Sequence, residues 1–323
     1  MYKIAKEKLD TLLQMVAESY EVYLADQMDR PLKHVFFPQS ETLYTARTED
    51  GKLAIAPEEL AHQDFVIFGA KACDVRGMAI LDQVYLADPV DSFYAARRER
   101  GTIIALACHE PEETCFCGAF GIDPGNPEGD IACWEVGDEL FWQPLTNKGE
   151  SLTKIVMTVL EEADESRVGE QKARIHEVTK RLPYSDLTLD SWHGDALNEK
   201  FDSKLWEQLH QTCLACGTCT YLCPTCQCYD IKDYTAGSKV SRYRCWDSCM
   251  YSDFTLMAHG NNRPTQMQRF RQRFMHKLVY FPDNNDGTYS CVGCGVCVAK
   301  CPSALNIVKV IKAFEGQGSD GNE

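Results

Sequence analysis

The sequence predicts an α+β fold in two parts. Residues 1–200 read as an N-terminal α/β domain with a partly parallel sheet, and residues 201–323 as a smaller, mostly α-helical, cysteine-rich domain. Three observations lead there. Two short apolar runs, "DFVIFGA" (64–70) and "GTIIALAC" (101–108), flank a segment of helical periodicity, which is the pattern of a βαβ unit. From about residue 202 the apolar runs give way to closely spaced cysteines and short elements. Between the two, "LPYSDLTLDSWHGDALNEK" (182–200) has loop composition and marks the domain boundary.

Taken in order, residues 3–18 carry Ile4, Leu9, Leu12, Leu13 and Val16 at helical spacing. "EVYLA" (21–25) reads as a strand, 64–70 and 101–108 as strands buried on both faces, and 74–86 as the helix between them. A strand–helix–strand crossover of this length makes the two strands parallel neighbours. "IACWEVGDELFWQPL" (131–145) alternates about Gly137-Asp138 and predicts a hairpin, with Cys133 in its core. Residues 151–182 are helical and highly charged, as a solvated connector would be, and the tail "EGQGSDGNE" has the composition of a disordered end.

Charge and cysteine content narrow the function. The formal net charge is −15, which argues against nucleic acid as a partner. That charge is uneven, because the stretch from Lys204 to Lys312 holds more basic than acidic side chains. The 17 cysteines are odd in number and lie in a long chain, which disfavours a disulfide framework. The N-terminus has no apolar signal core, and the longest apolar runs are too short to span a bilayer. These features predict a protein of the reducing cytoplasm, with no membrane partner, whose cysteines are ligands.

The ligand motif is explicit. "CLACGTCTYLCP" places Cys213, Cys216, Cys219 and Cys223 at the spacing C-x2-C-x2-C-x3-C-P, and "CVGCGVCVAKCP" repeats it at Cys291, Cys294, Cys297 and Cys301. This is the bacterial ferredoxin run for a [4Fe–4S] cluster, in which the fourth cysteine serves the other cluster. Cys213, Cys216, Cys219 and Cys301 therefore form one predicted set, and Cys291, Cys294, Cys297 and Cys223 the other. The C-terminal domain is on this basis ferredoxin-like. Gly217, Gly293 and Gly295 would allow close backbone approach. Zinc, which takes four ligands in two pairs, would leave cysteines of each run unused.

An insert, 224–290, separates the runs and holds four more cysteines: Cys226, Cys228, Cys245 and Cys249. They form either a further cluster or a set of buried thiols around the other two. The closeness of Cys226 and Cys228 to a ligand favours thiols. The insert also carries the basic segment "RPTQMQRFRQRFMHK" (263–277), with Arg269 and Arg273 on one helical face and Phe270 and Phe274 on another. Its cations are either a solvated face or a wall that offsets cluster charge.

Three further cysteines crowd into "LACHEPEETCFC" (106–117). Cys108 ends the strand 101–108, and Cys73 follows the strand 64–70. Parallel neighbouring strands would bring both to one carboxyl edge of the sheet, where ligands collect in open α/β sheets. Cys115 and Cys117 lie on the loop leaving that edge. Cys73, Cys108, Cys115 and Cys117 thus predict a third [4Fe–4S] site, contained within the first domain; the alternative is unrelated buried thiols. No dinucleotide fingerprint, P-loop or hydrolase motif is present in the sequence, so neither flavin nor nucleotide is expected on this chain.

The segments "FPQSETLY", "KACDVRGM", "ACHEPEETCFC", "CLACGTCTYLCPTCQC", "WDSCM", "RQRFMHK" and "CVGCGVCVAKCP" together resemble the beta subunits of cytoplasmic sulfhydrogenases and the A subunits of anaerobic sulfite reductases. Related subunits occur in flavin-based complexes tied to heterodisulfide reductase. The resemblance covers nearly the whole chain. It implies an electron-transfer subunit rather than a catalytic one. The implied partners are an NAD(P)H-oxidising flavoprotein with FAD and a [2Fe–2S] cluster, and a catalytic subunit of hydrogenase, sulfite reductase or heterodisulfide reductase type. Cys245 departs from the family's pattern. Two other functions fit clusters alone: a self-contained iron–sulfur reductase, and an iron–sulfur redox sensor.

Overall fold

A computed structural model of the chain describes residues 1–49 and 52–316. Most of the acidic tail therefore lies outside the described residues. The chain divides into two compact units, each discontinuous in sequence. One comprises Met1–Leu32, His62–Thr188 and Cys291–Val296; the other comprises Lys33–Ala61, Leu189–Ser290 and Cys297–Glu323.

The first unit is built on a seven-stranded mixed sheet. Its order is Glu21–Leu24, Phe65–Ala70, Gly101–Leu106, Ile131–Val136, Glu139–Pro144, Tyr2–Ala5 and Glu161–Glu162. The first four strands run parallel and the rest join antiparallel. The expected parallel pairing of the two apolar runs holds, with Phe65 opposite Gly101 and Ala70 opposite Ala105. Apolar side chains fill both faces. Ile4, Val66, Ile104 and Trp142 pack with Leu12 and Val16 of helix Leu9–Ala17 and with Leu152 and Val156 of helix Asn147–Val156. Ala132, Trp134 and Phe141 pack with Val168 and Ile175 of helix Ser166–Thr179. Cys133 is fully buried in the first of these cores, as its place in the hairpin implied.

Two segments depart from the sequence reading. The first residues are a strand, because Ile4 alternates inward while Lys3 and Lys6 reach Glu139 and Glu135 at 2.7 Å across the sheet. The helix starts only at Leu9. The charged stretch 151–182 is more than a connector: four of its apolar residues enter the two cores. Its charges occupy the outer faces and mask an amphipathic pattern.

The second unit contains a four-stranded antiparallel sheet in the order Tyr229–Ala236, Lys239–Trp246, Ser40–Glu49 and Lys52–Pro57. The insert thus contributes a hairpin, turning at Gly237 with φ +60°, that the cysteines and the basic segment had overshadowed. Helix Gln266–Met275 opens with a capping box between Thr265 and Gln268. It buries Phe270 and Phe274, and Trp206 stands between Phe270 and Phe314. It runs on into a wider π-turn over His276–Tyr280. Among the described residues no helix is long and apolar enough to cross a membrane.

The pair Arg244–Glu41 ties two strands of this sheet together at 2.6 Å, and both side chains are buried. Removing one partner leaves an uncompensated charge. Arg244→Met should cost about 3–5 kcal/mol in chemical denaturation, whereas the double change with Glu41→Leu should recover most of it. Equal stability of the single and double variants would contradict this role.

Candidate metal centres

In the first unit the parallel pairing delivers two cysteines to one edge. Cys73 sits in the first turn of helix Ala72–Tyr85, whose start is fixed by the Lys71 backbone N–H donating to Asp74 Oδ2 at 2.9 Å. Cys108 follows strand Gly101–Leu106, held by its N–H to the Pro124 carbonyl at 2.9 Å. Cys115 and Cys117 come from the loop beyond, where the Cys115 N–H bonds the Glu112 carbonyl. All four line a cavity of about 210 Å³, together with Lys71 and Asp74.

One wall of this cavity comes from elsewhere in the chain. Gly293, Cys294 and Val296, part of the second cysteine run, also line it. The Phe116 N–H donates to the Gly293 carbonyl at 2.8 Å, and Cys115 Sγ donates to the Cys294 carbonyl at 3.7 Å. Cys73, Cys108, Cys115 and Cys117 line one cavity, but residues 1–200 alone do not close it. Sequence reasoning had no signal for this junction beyond the two glycines themselves.

The electrostatics of the cavity suit anionic sulfur only in part. Burial pushes the Cys73, Cys108 and Cys115 thiols up. Cys117 is pushed up to about 11, first by burial and then by Cys115 and Cys108. Lys71 works the other way: burial opposes its charge, but Cys108, Cys73 and Asp74 together hold it above its ordinary value. Without metal these thiols keep their protons, so ligation would release them.

In the second unit Cys213, Cys216, Cys219 and Cys301 line a single cavity with Met250, Phe270 and Arg273. Cys223 is absent from that lining. Cys301 of the second run thus shares a cavity with the first three cysteines of the first run. The Ala215 N–H donates to Cys213 Sγ at 3.5 Å, and Thr218 Oγ1 lies 3.3 Å from Cys216 Sγ. The Thr218 contacts lower Cys216. Cys223 and Cys297 lie elsewhere in this unit, both within the field of Arg273 and Lys277. Cys291 and Cys294 belong to the stretch counted with the first unit.

The two runs repeat one backbone path. Ala215 and Gly217 have φ of +52° and +76°; Gly293 and Gly295, at the equivalent positions, have +59° and +74°. Each run then enters a short helix, Thr218–Tyr221 or Val296–Ala299, before its last cysteine. The glycines admit other segments of the chain. A Cβ at Gly217 would stand 2.5 Å from Tyr251 Oη, one at Gly295 2.5 Å from the Thr114 carbonyl, and one at Gly293 would overlap the Phe116 carbonyl.

Of the remaining cysteines, one stands apart from the other three. Cys245 lies on strand Lys239–Trp246, opposite Ser40 and Asp230. Cys226 hydrogen-bonds Cys223 and lowers it, and Cys249 hydrogen-bonds Cys228 and lowers it to about 7. Lys33 Nζ donates to the Cys226 carbonyl at 2.6 Å. Cys226, Cys228 and Cys249 thus share one neighbourhood, from which Cys245 is absent. Among the described residues no three His, Cys, Asp or Glu side chains converge as a single metal ion requires. Both cysteine cavities instead offer soft sulfur donors around an apolar space, which is the donor set of a cubane.

Comparison with known proteins agrees with this chemistry. Residues 212–305 match the 4Fe-4S dicluster domain family. Over 301 residues the chain is 32% identical to Sulfhydrogenase 2 subunit beta of Pyrococcus furiosus, covering 90% of this chain and 86% of that one. The chain belongs to the sulfhydrogenase beta subunit family. No solved structure matches it. The dicluster match begins one residue before Cys213 and spans both runs, so [4Fe–4S] clusters are the cofactors of this sulfhydrogenase beta family member. The N-terminal cysteine cavity lies outside the matched segment.

Gly293→Ala tests the junction directly, since alanine there meets both the positive φ and the Phe116 carbonyl. The expected cost is about 1–3 kcal/mol, read as a lowered melting temperature. An unchanged melting temperature would show that the 114–117 loop yields freely.

Proposed function

We propose that this chain is the electron-transfer subunit of a cytoplasmic oxidoreductase complex, holding three [4Fe–4S] clusters. It relays electrons between an FAD- and [2Fe–2S]-containing NAD(P)H-oxidising flavoprotein and a catalytic subunit. The observation that carries the reading is the pair of cysteine-lined cavities, one in each unit, in a relative of a sulfhydrogenase beta subunit. Cys213, Cys216, Cys219 and Cys301 hold one cluster, and Cys223, Cys291, Cys294 and Cys297 a second. Cys73, Cys108, Cys115 and Cys117 hold the third.

Bound clusters of this kind supply one-electron transfer. The chain's own residues do the rest. The thiols fix each site, and Phe270, Phe274 and Met250 keep water from the first one. Lys71 offsets thiolate charge at the N-terminal site. Hydride chemistry falls to the flavoprotein partner. The relative's name makes a hydrogenase-type catalytic subunit the first choice, with sulfite reductase and heterodisulfide reductase types as the others.

Anaerobically purified protein should contain about twelve irons per chain, three cubanes of four. Cys108→Ser should lower this to about eight and leave the spectrum of the ferredoxin pair intact. Cys301→Ser should remove the cluster of the first run rather than that of its own. Eight irons in the fully loaded parent would return the N-terminal cysteines to ordinary thiols.

The relay itself predicts that NADH or NADPH reduces the chain only when the flavoprotein subunit is added. Stopped-flow bleaching of the isolated, flavin-free chain by either nucleotide at a catalytic rate would refute the assignment.

A further inference from the structure

The two arginines that the sequence places on one helical face have separate fates. Arg269 spends its donors on the carbonyls of Met250, Arg263 and Pro264, an ordinary loop-tying role. Arg273, one turn further on, is 2% exposed. Its Nη2 donates to the Cys219 carbonyl at 2.8 Å. Its Nε and Nη1 are buried with no hydrogen-bond partner. Among the described residues it pairs with no carboxylate, and the groups that act on its charge are Cys219, Cys297, Cys226 and Cys223. It also lines the cavity of Cys213, Cys216, Cys219 and Cys301.

A guanidinium cannot shed its charge, and burying it uncompensated is among the costlier things a fold can do. Two orphaned donors on the same group add to the cost. Such an arrangement persists when a negative group occupies the space beside it. A cubane held by four thiolates is such a group, with sulfur acceptors on every face. The helix is held in place independently, by its capping box and by Phe270 and Phe274, so Arg273 is not needed to anchor it.

We propose that Arg273 is the fixed counter-charge of the ferredoxin pair. It is a positioning residue whose free N–H groups serve the sulfurs of the cluster at Cys213, Cys216, Cys219 and Cys301, and whose charge holds both clusters at higher potential. This rests on the cluster assignment above. Adding an electron to a cubane adds negative charge, so a buried cation beside it favours the reduced state, and removing that cation disfavours it.

The test is an EPR-monitored redox titration of the anaerobically purified chain, comparing Arg273→Lys and Arg273→Met, with iron counted in each. The Met variant with full iron should show both ferredoxin clusters at lower midpoint potential, the first-run cluster shifting more. The N-terminal cluster should be unmoved, and the Lys variant should lie close to the parent. Iron loading by the Lys but not the Met variant would equally support a charge requirement. Unchanged potentials in a loaded Met variant, or failed loading in both variants, would overturn the proposal. A parent chain without iron would refute the cluster assignment and this proposal with it, whereas unchanged potentials in loaded chains refute this proposal alone; chains stripped of iron by a chelator give a second readout, their melting temperature. If Arg273 is an uncompensated charge there, the iron-free Met variant melts higher than the iron-free parent; if it melts lower, the side chain is structural and the proposal fails.

Discussion

Thiols far apart in sequence can share a cavity only if the backbone brings them to one edge. In the first unit, the parallel pairing of Phe65–Ala70 with Gly101–Leu106 does this. Each strand ends at the same side of the sheet, so the residues just past them, Cys73 and Cys108, become neighbours without any local sequence relation. The loop carrying Cys115 and Cys117 leaves from that edge, and its carbonyls at Thr114 and Phe116 receive the glycines of 291–296. If the strand pairing slipped by one residue, the apolar faces would invert and the thiols would part.

Charge is handled differently in the two parts of the second unit. Arg244 and Glu41 neutralise each other inside the sheet. Near the cysteines, buried cations meet carbonyls, a hydroxyl and a ring. Lys33 is 2% exposed, bonds the Cys226 carbonyl and stands 4.2 Å over the Trp246 ring. Lys277, on the π-turn, donates to Thr225 and to the Ser290 carbonyl. Burial lowers Lys33, while the neighbouring thiols oppose that shift. Buried cations beside thiols favour sulfur that carries negative charge.

Much of this was legible in the sequence because the signals are local. The apolar runs at 64–70 and 101–108 announce the parallel core, and the x2-x2-x3 spacing picks out cysteines that line one cavity with the remote Cys301. What escaped notice was non-local. Nothing in "MYKIA" distinguishes a strand from the start of a helix until Glu139–Pro144 is available to pair with it. The charged surface of 151–182 hid Leu152, Val156, Val168 and Ile175. The different fates of Arg269 and Arg273 could not be read from periodicity, which places both on one face and says nothing of what that face meets.

The repeated run geometry has a consequence for the order of events during synthesis. At the position where the first run carries Ala215, the second carries Gly293, and the Phe116 carbonyl occupies the place of a methyl group. The N-terminal cavity therefore lacks a wall until residues 291–296 have left the ribosome, long after residues 73–117 have done so. A nascent chain exposes Cys73, Cys108, Cys115 and Cys117 long before that wall arrives. The wall is thus the last part of this cavity to be made, and until it arrives four neighbouring thiols are open to oxidation.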